Sequence, residues 1–96
     1  RIVEFMISKE IPVTNKMGVH ARPAGMIVNI TGKAKSEVTL EYDGSKVNAK
    51  SILNVMMLAI IPGATVTFTA KGEDEREVIA QLEELFRNKF NEDGND

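Results

Sequence analysis

The chain has 96 residues, enough for one modest hydrophobic core but not for two. Hydrophobic residues make up 43% and charged residues 27%, the balance of an ordinary globular domain. A net charge of −2 without a basic block argues against a nucleic-acid partner, and zero cysteines exclude a disulfide framework, a thiolate metal site and cysteine catalysis.

The longest apolar run, Val55 to Pro62, is far short of a membrane span, and no secretory signal is visible. No membrane insertion is therefore expected, and a cytoplasmic location is the default. Met6 reads as a natural start, which leaves residues 1–5 as an N-terminal extension. Residues 91–96, NEDGND, are polar and aperiodic and read as a frayed, disordered tail. One domain is expected over residues 6–90.

Ile7, Lys9, Ile11 and Val13 alternate with polar residues and Pro12, which predicts a strand at a sheet edge, where a missing N–H is harmless. Asn15 to Gly18 then forms a loop. From Ala21, apolar residues at Ala24, Ile27 and Val28 have helical spacing, and Pro23 is tolerable only in a first turn, so a helix starts just after His20 and stops near Gly32. Val38, Leu40 and Tyr42 alternate up to Asp43-Gly44, a hairpin turn, and Val47 and Ala49 follow on the partner strand.

Ser51 precedes a short apolar helix as its N-cap, and Pro62-Gly63 is expected to end it. Val66, Phe68 and Ala70 alternate with threonines in a fourth strand. In the last helix, Asp74 and Glu77 have the spacing of a capping box, Val78, Ile79, Leu82, Leu85, Phe86 and Phe90 form one stripe, and Glu83 and Arg87 are spaced for an ion pair. The order βαββαβα predicts an α+β fold, one sheet with helices packed on one face.

His20 is the only histidine, and it stands immediately before a helix start, followed by Ala21, Arg22 and Pro23. Helix N-termini present unpaired N–H groups and partial positive charge, so they receive anions well. Arg22 can add charge-assisted hydrogen bonds to phosphate oxygens. The positive end also disfavours imidazolium, which keeps the ring nucleophilic, and Gly18, Ala21 and Ala24 leave it approachable. These pieces suit phosphoryl transfer through a phosphohistidine. Taken singly, a histidine before a helix is more often only a cap, and metal binding is disfavoured because no second His or Cys exists.

The segment Asn15-Lys16-Met17-Gly18-Val19-His20-Ala21-Arg22-Pro23-Ala24 resembles the active-site signature of HPr, the histidine-containing phosphocarrier family of the bacterial sugar phosphotransferase system. Lys50-Ser51-Ile52-Leu53-Asn54-Val55-Met56 resembles that family's regulatory serine segment. Element order agrees from about Met6 to Phe90.

The resemblance implies an HPr-like open-faced sandwich, a four-stranded antiparallel sheet of order 1-4-2-3 with three helices on one face. It implies a phosphoryl carrier, not an enzyme, that needs no cofactor and no metal and acts as a monomer. His20 would accept phosphate on Nδ1 from phospho-Enzyme I and donate it to IIA domains of sugar permeases, with Arg22 steadying the phosphate. Ser51 would be a regulatory phosphorylation site for a serine kinase/phosphorylase, the alternative being that it only caps a helix. Ala21, Ile52, Leu53 and Met56 match the partner-binding positions, although apolar residues on a short helix are more often core. Gly25, Asn54 and Met57 depart from the family's frequent threonine, glycine and serine, and Ile60-Ile61-Pro62 is more apolar than usual. Those departures bear on partner preference. A regulatory module of the same family and an unrelated small ligand-binding domain are the other readings, and the intact His20 motif disfavours the last.

Overall fold

The structure, a computed structural model, describes residues 6–92. Residues 1–5 and 93–96 lie outside the described residues, and with them the reading of 1–5 as an extension and most of the expected tail. The elements are β1 (Ile7–Pro12), α1 (Ala21–Thr31), β2 (Glu37–Tyr42), β3 (Ser45–Asn48), α2 (Ile52–Met57), β4 (Thr65–Lys71) and α3 (Glu75–Arg87). The four strands form one antiparallel sheet in the order β1-β4-β2-β3. That is the expected α+β open-faced sandwich, and β1 lies at an edge, as Pro12 requires.

Alternation sets which face is covered. Ile11 of β1, Val38 and Leu40 of β2, and Val66, Phe68 and Ala70 of β4 are buried against the helices. From the helical side, Ala24 and Ile27 of α1, Val55 of α2, and Val78, Ile79, Leu82 and Phe86 of α3 complete the core. Phe86 bridges two edge-to-face contacts, with Phe68 at 5.6 Å and Phe90 at 4.7 Å between ring centroids. Between β2 and β3, Asp43 and Gly44 both take positive φ, 52° and 83°, the conformation that tight hairpins favour.

The structure differs from the sequence reading at four places, each for a local reason. α2 stops at Met57, well before Pro62, because Ala59 adopts a left-handed φ of 52° and turns the chain away. Asp74 makes no capping contact with α3; its carboxylate instead accepts hydrogen bonds from the backbone N–H groups of Lys35 and Ser36 and from the Ser36 hydroxyl. Glu83 pairs with Lys9 of β1 and Arg87 with Glu84, so the expected pair of Glu83 with Arg87 is not formed.

The fourth difference lies at the C-terminal end. α3 ends at Arg87, and Phe90 reaches the core from a turn over Lys89–Asn91 rather than from the helix. Lys89, Phe90 and Asn91 all have left-handed φ values of 52°, 58° and 57°. Three consecutive non-glycine residues in that region are unfavourable on their own. The buried ring of Phe90 offsets that cost, and the turn directs Glu92 back toward the start of α1. Of the expected tail, the described residues Asn91 and Glu92 continue from this turn.

Candidate functional site

The site is built by the loop between β1 and α1. Val13 donates its N–H to the carbonyl of Ala64 at 2.8 Å, and Gly63 donates to the carbonyl of Val13 at 2.9 Å. Further on, Val19 donates to the carbonyl of Ile60 at 3.1 Å. Gly18 makes that approach possible. Its φ is +70°, and a Cβ there would sit 2.5 Å from the Ile60 carbonyl oxygen.

His20 is the N-cap residue of α1, with an extended backbone (φ −94°, ψ −163°), and its carbonyl receives the N–H of Ala24 at 2.9 Å. Its side chain makes no capping hydrogen bond. Pro23 has no N–H to offer, so the first-turn donors left for an anion are those of Ala21 and Arg22. No acidic residue stands in the first turn of α1 itself. Arg22 is exposed and forms no ion pair among the described residues. An anion at this corner would meet two amides, a helix end and a free guanidinium.

The imidazole is oriented from its other side. Its Nε2–H donates to Glu92 Oε2 at 2.8 Å, while Nδ1 has no hydrogen-bond partner among the described residues. The His20 side chain is 37% exposed and Glu92 only 14%, so the carboxylate is the more enclosed partner. Asn15, fully buried, donates its side-chain amide to the Gly18 carbonyl at 2.7 Å and to Glu92 Oε1 at 3.2 Å. Two acceptors around one amide nitrogen fix which way the Asn15 side chain faces.

The sequence reading missed Glu92 and gave Asn15 no role. A signal existed for Asn15, which opens the segment that resembles the active-site signature. None existed for Glu92, which lies in a polar segment without periodicity.

Ser51 caps α2 as expected, its hydroxyl accepting the N–H of Asn54 at 3.2 Å. The remaining predicted residues fall at the surface. Ala21 is exposed, and Ile52, Leu53 and Met56 are 44%, 65% and 42% exposed, whereas their neighbour Val55 is completely buried. Met17, Met57 and Ile61 are also exposed. α2 packs on α1 where Gly25 has no side chain, and a Cβ there would lie 3.8 Å from Ile52 Cδ1. The apolar surface of α2 thus adjoins the helix that His20 caps. Among the described residues no group of three or more His, Cys, Asp or Glu side chains is placed to hold a metal ion.

Comparison with known proteins identifies the family. The family model described as "PTS HPr component phosphorylation site" matches residues 7–88. The phosphocarrier protein HPr of Xylella fastidiosa (strain Temecula1) is 46% identical over 88 residues, which covers 92% of this chain and 99% of the relative. Among solved structures, HPr-C-His from Thermoanaerobacter tengcongensis superposes with a TM-score of 0.87 at 41% identity, covering 91% of this chain and 98% of that one. An HPr dimer from the same organism superposes at 0.72 with 44% identity, covering 85% and 94%. Since that relative is a dimer, family membership does not bring with it the single-copy state expected from the sequence. Matched over nearly its whole length in motif, strand order and structure, this chain belongs to the HPr family, phosphocarriers of the phosphotransferase system and not enzymes.

Proposed function

We propose that this protein takes a phosphoryl group from phosphorylated Enzyme I onto Nδ1 of His20 and passes it to IIA domains of sugar permeases. The observation that carries this reading is a single, part-exposed histidine at the N-terminal end of α1, with no acidic residue in that helix's first turn and its Nδ1 open. A phosphoryl group on Nδ1 would be met by the amides of Ala21 and Arg22 and by the Arg22 guanidinium. The exposed Ile52, Leu53 and Met56, with Ala21 beside the histidine, supply an apolar face on which donor and acceptor proteins can alternate. Carriage of this kind needs no cofactor, and we place it in the cytoplasm with the protein acting as a monomer.

Ser51 is read as a regulatory phosphorylation site on the same surface. It stands at the start of α2 beside the docking residues, so a dianion there would disturb association while the helix end tolerates its charge.

The reading is tested by incubating the protein with labelled phosphoenolpyruvate and Enzyme I. The expected product is an acid-labile label on the parent protein, absent from His20→Ala. Undiminished labelling of His20→Ala removes His20 from its assigned role.

A further inference from the structure

We infer that Glu92 is the positioning residue of the phosphoryl-accepting histidine, selecting the imidazole tautomer whose lone pair lies on Nδ1. This rests on the proposed phosphorylation of His20. Glu92 lies beyond the matched region at residues 7–88, in a stretch whose composition suggests only a tail, and yet its carboxylate is the best-defined polar contact of the ring.

A neutral imidazole carries one proton for two ring nitrogens. A carboxylate only accepts, so Glu92 Oε2 at 2.8 Å holds that proton on Nε2 and leaves Nδ1 as the nucleophile. Glu92 is itself held. Its second oxygen takes the amide of buried Asn15, and the left-handed turn at Lys89–Asn91, anchored by Phe90, aims it. Neither support would be needed for a loose tail, and the turn persists in a conformation that three non-glycine residues disfavour.

The transfer step balances with this carboxylate in place. The Nδ1 lone pair forms a bond to phosphorus as the donor's P–N bond breaks, and that electron pair returns to the donor nitrogen. His20 keeps its proton on Nε2 throughout and becomes a phosphoimidazolium cation. Glu92 faces the new positive charge from the side opposite the phosphoryl group, so it stabilises the ring more in the product than in the free state. On return transfer to an acceptor nitrogen the same events run backwards, and no proton has to leave the site.

The test reads tautomer and reactivity separately on the full chain. Nitrogen-15 shifts of the His20 ring, recorded above pH 8, give the ratio of the two tautomers without any phosphorylation. Glu92→Ala should lower the Nε2–H to Nδ1–H ratio about tenfold, the scale of one hydrogen bond to a charged group, and Glu92→Gln, which keeps an acceptor oxygen, should restore most of it. Labelling by phosphoramidate, a small P–N donor that needs no docking surface, should slow several-fold in Glu92→Ala, because no carboxylate then faces the positive charge formed on the ring, and recover in part in Glu92→Gln. Unchanged thermal melting of both variants separates this from unfolding. A parent-like tautomer ratio or a parent-like labelling rate in Glu92→Ala overturns the inference. Failure of the parent itself to be labelled overturns the phosphocarrier assignment of His20 instead, a result that the tautomer ratio does not produce.

Discussion

Asp74 Oδ1 lies 2.9 Å from the backbone nitrogen of Ser36 and also accepts that residue's hydroxyl, so the start of α3 is fastened to the strand entrance of β2. Oδ2 takes the Lys35 N–H at 2.8 Å. A carboxylate that satisfies three donors holds together two segments far apart in sequence, and Gly72 must leave room for it. A Cβ at Gly72 would lie 2.6 Å from the Ser36 Cα.

These hydrogen bonds, led by that from the Ser36 hydroxyl, hold the Asp74 carboxyl below its ordinary range. The sign follows from linkage. A carboxylate whose pKa is depressed in the folded state adds stability that is present above its unfolded pKa and is lost as pH falls through the folded value. Asp74→Asn should therefore lower the urea midpoint near neutral pH and flatten its decline on the acid side. Parallel acid limbs for parent and variant would show that Asp74 contributes nothing to acid sensitivity.

At Ser51 the cap and the regulatory reading make different demands. Ser51→Ala should lose about 1 kcal/mol of stability through the unpaired Asn54 N–H and still accept phosphate from Enzyme I. Ser51→Asp should keep or slightly raise the melting temperature, since a negative charge suits a helix start, while markedly slowing labelling of His20. Equal labelling rates in Ser51→Asp and the parent would reduce Ser51 to a helix cap.

Two glycines with nearly equal φ separate conformational strain from close approach. Gly63 has φ +86° and nothing within 4 Å of an added Cβ, so Gly63→Ala should cost about 1–2 kcal/mol from backbone strain alone. Gly18 has φ +70° with the Ile60 carbonyl in the way, and Gly18→Ala should cost about 1–3 kcal/mol more than Gly63→Ala. Denaturant titration of both variants measures the difference. Equal losses would mean that the Ile60 loop yields freely.

The left-handed turn gives a prediction of opposite sign. Lys89 has φ 52°, and glycine removes the steric cost of that conformation at some expense in chain entropy. Lys89→Gly should gain roughly 0.5 kcal/mol, the balance of those two effects. Phe90→Ala, which empties a fully buried site beside Phe86, should lose about 3–5 kcal/mol. A destabilised Lys89→Gly would show that the turn is less constrained than its angles indicate.

Most of the fold was legible because its signals are local. Alternation in Val66, Phe68 and Ala70, the Asp43-Gly44 turn and the stripe along α3 each draw on a few neighbouring residues. Strand order was not local. It came from the resemblance carried by the His20 and Ser51 segments, with Pro12 its one independent support. Spacing misled at Asp74, since the Asp-x-x-Glu pattern suggests a cap, while the Ser36 and Lys35 amides, 38 and 39 positions away, hold the side chain instead. Glu92 was illegible for the same reason, more strongly. Its contact spans 72 positions and depends on non-glycine residues adopting backbone angles that propensity argues against.

The loop before α1 is sewn to the segment after α2 at Val13, Val19 and Gly63. No hinge separates His20 from the sheet. A carrier with a tethered arm could deliver its cargo by swinging, with its two partners held in place. Among the described residues His20 rides on no such arm, so a carrier built this way leaves one partner entirely, diffuses and meets the next one face on. Its throughput in the cell is then set by how often whole proteins collide and how quickly they part, and a surface that held either partner tightly would slow the relay.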